Sequence, residues 1–487
     1  MNGKTVSRRG FLKTAGLTVL GGGAAAFLAA CATPTPQVIK ETVVVEKPVE
    51  KVVEKVVTPT AMPTTLRNVK LQFAQYGGAG FEDKLYGQFL KKWQERLKQA
   101  YPMLDFEPVA VNYQKEAMAM AAGNASDVAI INVPAAWPLM YRRQIANLQP
   151  AIDADPEWKD WMTKFAPTTV ETYTWKGDLY VIANSVETSG TIYNEDLLVK
   201  QGVPKLPHDY GEAGWDWNAY IELAKAATKG EGADKVWGAW VHPDVQSGLG
   251  DMVYSNGGGW LSDDGLSSRV AEDVFVEAAE VAVNMVIKDK VSPSTATLTN
   301  QQLNAYSAFI NEKVCFMVSG DWAFGWVKNN QLPDKKYKLN WWTSPVSPKT
   351  KKPVGVGHST GIYAWAGSKN LPEALAFVKH SASKEIQELW TENWTNSPIL
   401  APRRDAQDYF WKEIGPKLIP NLDAMRRAFD IAMPYPHTPL MNASIAIGYV
   451  NTGLGLAMDG EDTRPVKEIC AEIDKKINAD LQKAAAG

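Results

Sequence analysis

From Val69 onward the chain repeats one local pattern: a short apolar run, a turn, then a stretch whose apolar residues recur every four positions. Val69-Lys70-Leu71-Gln72-Phe73 alternates with period two and predicts a strand; Gly77-Gly78-Ala79-Gly80 supplies the turn; Leu85, Phe89, Trp93 and Leu97 mark one face of a helix. Asp127 to Ile131, Leu179 to Ile182 and Val236 to Val241 read as further strands. Asp273 to Lys288 and Pro372 to Trp390 read as helices, the second with Pro372 in its first turn. Strands that alternate with helices favour an α/β architecture with largely parallel sheets. From Asp405 onward the strand signal nearly vanishes, and Val466, Ile469, Cys470, Ile473, Ile477 and Leu481 draw one apolar stripe along a closing helix. The foldable part, about 420 residues, exceeds one hydrophobic core, so two domains or lobes are expected.

The amino end carries an address. Arg8 and Arg9 precede an almost wholly apolar run from Ala15 to Ala30, too short and small-sided for a stable membrane span. The paired arginines read as a twin-arginine export signal over residues 1–30. Leu28-Ala29-Ala30-Cys31 resembles the lipobox of bacterial lipoproteins, which implies that Cys31 becomes the acylated first residue of the mature chain. Two or three acyl chains hold firmly where one binds only marginally. Residues 31–65 are Pro, Thr, Val, Glu and Lys in low-complexity order, broken by Pro34, Pro36, Pro48, Pro59 and Pro63, and read as a solvated, lipid-anchored linker. The expected location is the outer face of the cytoplasmic membrane.

Charge and motifs exclude several classes. The full chain has a net charge of -3, and loss of Lys4, Arg8, Arg9 and Lys13 with the signal makes it more acidic, which argues against a nucleic-acid partner. Neither a phosphate-binding Gly-rich loop ending in Lys-Ser/Thr, nor His-Glu-x2-His, nor Cys-x2-Cys occurs, so no metal or cofactor is expected. Cys315, in an apolar run, and Cys470, on the closing stripe, read as core residues more readily than as a disulfide. Gly357-His358-Ser359-Thr360-Gly361 does match the Gly-x-Ser-x-Gly elbow of α/β hydrolases, and Asp405 or Asp430 followed by His437 gives the triad order. That elbow requires a helix after the serine, whereas Ile362-Tyr363-Ala364-Trp365-Ala366 alternates like a strand; a glycine-rich crossing between lobes fits better. A serine hydrolase using Ser359 stands as the alternative of another class.

The stronger signal is aromatic. Many of the 18 tryptophans fall beside turns: Trp137 next to Pro138, Trp240 before His242-Pro243, Trp260 after Asn256-Gly257-Gly258-Gly259, and Trp322 in Ser319-Gly320-Asp321-Trp322. Indole faces suit the C–H faces of sugars, and strand-end loops are where α/β folds bind ligands. With these in view, the mature chain resembles the extracellular solute-binding proteins of carbohydrate-importing ABC transporters, the class of the maltodextrin-binding proteins. Gly123-Asn124-Ala125-Ser126-Asp127-Val128 is similar to that family's Gly-x-x-Pro-Asp-Val, with Ser126 in place of proline. Trp175-Lys176-Gly177-Asp178-Leu179-Tyr180 with Ile192-Tyr193-Asn194-Glu195-Asp196-Leu197, Gly214-Trp215-Asp216-Trp217, Asn256-Gly257-Gly258, Ala308-Phe309-Ile310-Asn311-Glu312-Lys313 and Ser368-Lys369-Asn370-Leu371-Pro372-Glu373-Ala374 follow in the family's order.

The resemblance implies a two-lobed, type II-like periplasmic-binding-protein fold with hinge crossovers and a helical C-terminal segment. Its lobes would be residues 66–184 with 355–400, and 185–354 with 401–487. It implies a monomeric, non-enzymatic receptor that holds a sugar or oligosaccharide between its lobes and hands it to permease subunits; a peptide or phosphorylated solute is the alternative within the same fold. Trp137 and Trp322 become the stacking platforms, with Trp240, Trp260 and His358 in neighbouring loops, and Asp321, Gln75 and Asn256 are candidates for hydrogen bonds to hydroxyl groups.

Overall fold

The computed structural model describes residues 65–75, 80–82, 86–110, 113–203, 214–330, 338–393 and 399–486. Arg8, Arg9, Cys31, the low-complexity stretch up to residue 64, Gly77 to Ala79 and Leu85 lie outside them. The chain first lays down β1 (Val69–Gln75), α1 (Gly87–Ala100), β2 (Leu104–Ala110), β3 (Val128–Asn132), α2 (Val133–Tyr141), a hairpin of β4 (Thr174–Trp175) and β5 (Asp178–Leu179), and β6 (Ile182–Ala183). Residues 184–188 lead into β7 (Ser189–Asn194), α3 (Trp217–Ala227), β8 (Trp237–Trp240), α4 (Leu249–Ser255), α5 (Asp273–Ile287), β9 (Val314–Gly320), α6 (Trp322–Asn329), β10 (Leu339–Trp342) and β11 (Gly355–Val356). The chain then returns through β12 (Thr360–Ala364), α7 (Leu371–Ser381) and α8 (Lys384–Asn393), and ends with β13 (Ala432–Met433), α9 (Ser444–Asp459) and α10 (Val466–Ala486).

Two main sheets result, one per lobe, beside the two-stranded pairs β4–β5 and β11–β13. The first has the order β2-β1-β3-β12-β6 and the second β10-β7-β9-β8. Each is mixed: β1 runs parallel to β2 and β3, and β8 parallel to β9, but β12 is antiparallel to β3 and β6, and β7 to β9 and β10. The expectation of largely parallel sheets therefore fails, for a physical reason. A helical crossover within one lobe returns the chain parallel to its start, whereas β12 arrives from the other lobe and enters its sheet from the opposite end.

Each lobe closes on its own apolar core. In the first, Phe89, Trp93 and Leu97 of α1 are buried at the predicted spacing. Trp93 stacks on Phe377 of α7 at 5.0 Å, meets Phe73 of β1 edge-on at 5.4 Å, and donates its indole N–H to His380 Nδ1 at 3.2 Å. In the second, Tyr193, Phe316 and Val318 pack on one side of the sheet, and Ile192 and Met317 on the other. The stripe Ile469, Cys470, Ile473, Ile477 and Leu481 of α10 is buried in this second core. Cys315 and Cys470 are buried free thiols. No helix among the described residues is long and apolar enough to cross a membrane.

Two elements differ from the periodicity. Leu179 to Ile182 is split: Leu179 closes a two-residue hairpin whose Lys176 and Gly177 both have positive φ, at 53° and 89°, and Ile182 opens a strand in a different sheet. Pro372 to Trp390 is two helices. At the break Arg403 Nη1 donates to the Ala382 carbonyl and Gln387 Nε2 to the Ser381 carbonyl, satisfying acceptors that a continuous helix would have used itself.

Candidate functional site

The lobes are joined by three backbone segments, and the residues that could meet a solute gather around them. Residues 184–188 and 357–359 run antiparallel: Glu187 N donates to the His358 carbonyl at 3.0 Å and His358 N to the Glu187 carbonyl at 3.1 Å. A third segment joins through Val186 N to the Leu400 carbonyl at 2.8 Å and Leu400 N to the Val186 carbonyl at 3.2 Å. Because Ser189 pairs with Gly320 in the β7–β9 ladder, Asp321 is set against the crossing, where its N–H donates to the Thr188 carbonyl and its Oδ2 accepts from Thr188 N at 3.3 Å.

This arrangement separates two buried carboxyl groups. Burial opposes the Glu187 charge, yet the positive field of His358 and hydrogen bonds from His358 Nδ1 at 3.2 Å and Ser185 Oγ at 2.8 Å outweigh it, and the carboxyl is held below its usual range. Asp321 goes the other way: burial, then the nearby Glu187 charge, push it well above the carboxylate range. The two carboxyl groups are thus pushed in opposite directions, and Asp321 Oδ1 has no hydrogen-bond partner among the described residues. Where the crossing strands enter the second lobe, Asp251 Oδ1 accepts from Ser189 Oγ and Ser344 Oγ, both at 2.6 Å, while Ser189 Oγ accepts from Val356 N at 2.6 Å.

Aromatic rings flank these acids. Trp322 opens α6 directly after Asp321, is half-buried, and lies edge-on to Tyr306 at 5.7 Å. Trp240 ends β8 at 8% exposure and stacks on His242 at 5.6 Å; burial lowers the His242 imidazole despite Asp244 and Asp459, so the ring is neutral at pH 7. His358 meets the Tyr435 ring edge-on at 4.9 Å. Trp137, half-buried on α2, is already engaged: its N–H donates to the Thr172 carbonyl at 3.1 Å, and His437 stacks on it at 4.1 Å.

Other expected site residues are placed elsewhere. Trp260 is fully buried in the second core, packed on Phe275 at 5.1 Å, because the chain folds back through Gly257 with φ of 88° and tucks the indole under α5; it offers no face to a solute. Asn256 spends its side chain on protein, donating to the Val274 carbonyl and Glu277 Oε2 and accepting from Ser347 Oγ, so it is a structural cap and not a free hydrogen-bonding group. Gln75 is buried at the carboxyl end of β1, 1% exposed. Glu187 was not singled out by the sequence reading, although it is the sole charged residue between Leu179 and Asn194, a usable signal.

The hydrolase geometry does not form. Ser359 Oγ donates to the Ser185 carbonyl at 2.8 Å, Thr360 begins a strand and not a helix, and His437 Nδ1 donates to the Tyr435 carbonyl at 2.9 Å. No group of three or more His, Cys, Asp or Glu residues among the described residues is arranged to hold a metal. A surface depression of about 790 Å³ lies where Val236 and Lys313 precede β8 and β9, at the opposite end of the second sheet from Trp240 and Asp321.

No curated protein matches the chain by sequence. Solved structures share its fold. An ABC substrate-binding protein from Listeria monocytogenes in complex with cycloalternan superposes with a TM-score of 0.70 at 19% identity, covering 85% of this chain and 99% of that one. The GacH receptor of Streptomyces glaucescens, solved unliganded and with acarbose, gives 0.67 at 19% identity over 85% and 99%. The Thermus thermophilus maltotriose binding protein bound with maltotriose gives 0.64 at 18% identity over 86% and 100%. Two lobes joined by crossing strands, with polar and aromatic side chains gathered at the crossing, fit the family whose pattern matches residues 51–388: the chain belongs to the bacterial extracellular solute-binding proteins.

Proposed function

We propose that this protein captures a sugar or oligosaccharide between its lobes and delivers it to the permease subunits of an ABC transporter. The observation that carries the reading is the cluster at the crossing, where the half-buried Trp322 directly follows Asp321, whose carboxyl is pushed up by burial and by the nearby Glu187. An indole face packs on sugar C–H groups, and carboxyl oxygens accept from hydroxyl groups. Solved relatives of this fold hold cycloalternan, acarbose and maltotriose, which supports a glycan over other solutes. Trp322 is the stacking platform, Trp240 and His242 form the neighbouring wall, and Asp321 and His358 read hydroxyl groups, with Glu187 holding His358 in place. No bond is made or broken. Contacts to both lobes favour the closed form, and the permease recognises it.

We assign residues 66–184 with 355–400 to the first lobe and 185–354 with 401–487 to the second, a division the separate cores support except at Val356, which packs in the second core. Export by the twin-arginine signal and acylation at Cys31 place this monomer on the outer face of the cytoplasmic membrane. The test is a thermal-shift screen with mono- and oligosaccharides, amino acids, short peptides and phosphates. A ligand at 100 times its dissociation constant adds about 2.7 kcal/mol to stability and raises the melting midpoint. A rise with one class of glycan is expected; a response confined to peptides, amino acids or phosphates overturns the sugar reading.

A further inference from the structure

The lobes touch outside the three crossing segments as well. Helix α2, which follows β3 directly and belongs to the first core, bonds twice to the stretch that leads into α9: Arg142 Nη2 donates to the Leu440 carbonyl at 2.9 Å, and Ala443 N to the Pro134 carbonyl at 3.4 Å. Leu440 and Ala443 belong to the second core. Between these bonds and the crossing lies the Trp137–His437 stack, 4.1 Å between ring centres with the planes 27° apart.

Both rings are fixed from behind. Trp175 meets Trp137 edge-on at 5.6 Å, and the Thr172 carbonyl holds the Trp137 N–H. His437 is oriented by its Nδ1–H bond to the Tyr435 carbonyl, and the Tyr435 ring packs on His358 of the crossing. Rings at this spacing are already in van der Waals contact. A sugar ring between them would require about twice the 3.5–4.0 Å contact distance.

We propose that the Trp137–His437 stack is an end wall of the solute cleft, and that His437 is the residue that limits glycan length. This rests on the sugar-receptor reading above. A bound chain then extends from Trp322 and Trp240 past the crossing and stops at His437, so Trp137 serves as the backing of the wall and not as a platform for a sugar.

The experiment is calorimetric titration of the full-length protein and its His437→Ala and His437→Phe variants with maltooligosaccharides of two to seven units, and with the mannooligosaccharide series. Wild type is expected to gain no affinity beyond a certain length. His437→Ala extends that limit, raising affinity for the longest chains at least tenfold relative to the trisaccharide, and His437→Phe, which keeps a stacked ring, retains the wild-type profile. Should His437→Ala fail to fold by circular dichroism, Trp137→Ala opens the wall from the other side and carries the same expectation. An unchanged length profile in the alanine variant, or a phenylalanine variant that behaves like it, overturns the end wall alone. A wild-type protein that binds neither series while responding to another solute class overturns the sugar reading, and the end wall with it.

Discussion

Asp251 joins the hinge to the stability of the second lobe, and its replacement by asparagine gives a signed, measurable effect. Through Ser189 the carboxyl is linked to Val356 N, so one buried group ties together both strands that enter this lobe. Burial raises it from 3.8 to about 6, against the hydrogen bonds of Ser189 and Ser344. The folded protein thus binds this proton more tightly than the unfolded chain does, and the stability it contributes is complete below pH 3.8 and lost as pH rises through about 6. The loss is about 1 kcal/mol by pH 4.5 and about 3 kcal/mol by pH 8. Asp251→Asn keeps the Oδ1 acceptor for both serines and removes the titration. Urea denaturation followed by tryptophan fluorescence should show the variant gaining about 2 kcal/mol on wild type between pH 4.5 and pH 8. A difference that does not change with pH, or that moves in wild type's favour, refutes the reasoning.

Two further outcomes follow from the site and from the amino end. Trp322→Ala removes a half-buried ring from the start of α6 without opening the core, and should weaken glycan affinity about tenfold, or about 1.4 kcal/mol, with an unchanged circular dichroism spectrum; an unchanged dissociation constant in calorimetry excludes it as a platform. Cys31→Ser should release the exported protein from the membrane fraction into the soluble one on fractionation, and continued membrane association would rule out the lipid anchor.

Much of the architecture was legible because local patterning and tertiary packing agree. The alternation in Val69 to Phe73, the Phe89-Trp93-Leu97 face and the Ile469 to Leu481 stripe all fold as they read. What was not legible depends on chain segments distant in sequence. Pro372 to Trp390 carries an unbroken helical pattern, and it breaks where Arg403, beyond both helices, reaches back to the Ala382 carbonyl. Trp260 and Trp322 stand in similar glycine-rich contexts, yet α5 covers one and not the other. Asn256 looks like a loop polar group, and only the fold brings Ser347 and Glu277 to occupy it. The pairing of Glu187 with His358 and Asp321 joins three separate stretches, and no local spacing encodes it.

The crossing segments have a mechanical consequence. Three strands laced by Glu187–His358 and Val186–Leu400 bonds form a narrow ribbon. Such a ribbon is compliant when bent out of its plane and stiff against shear within it, since shear would have to break the ladder bonds whereas bending leaves them intact. A hinge of this kind favours one swing of the lobes over sliding, and any closure would bring the same two faces together each time.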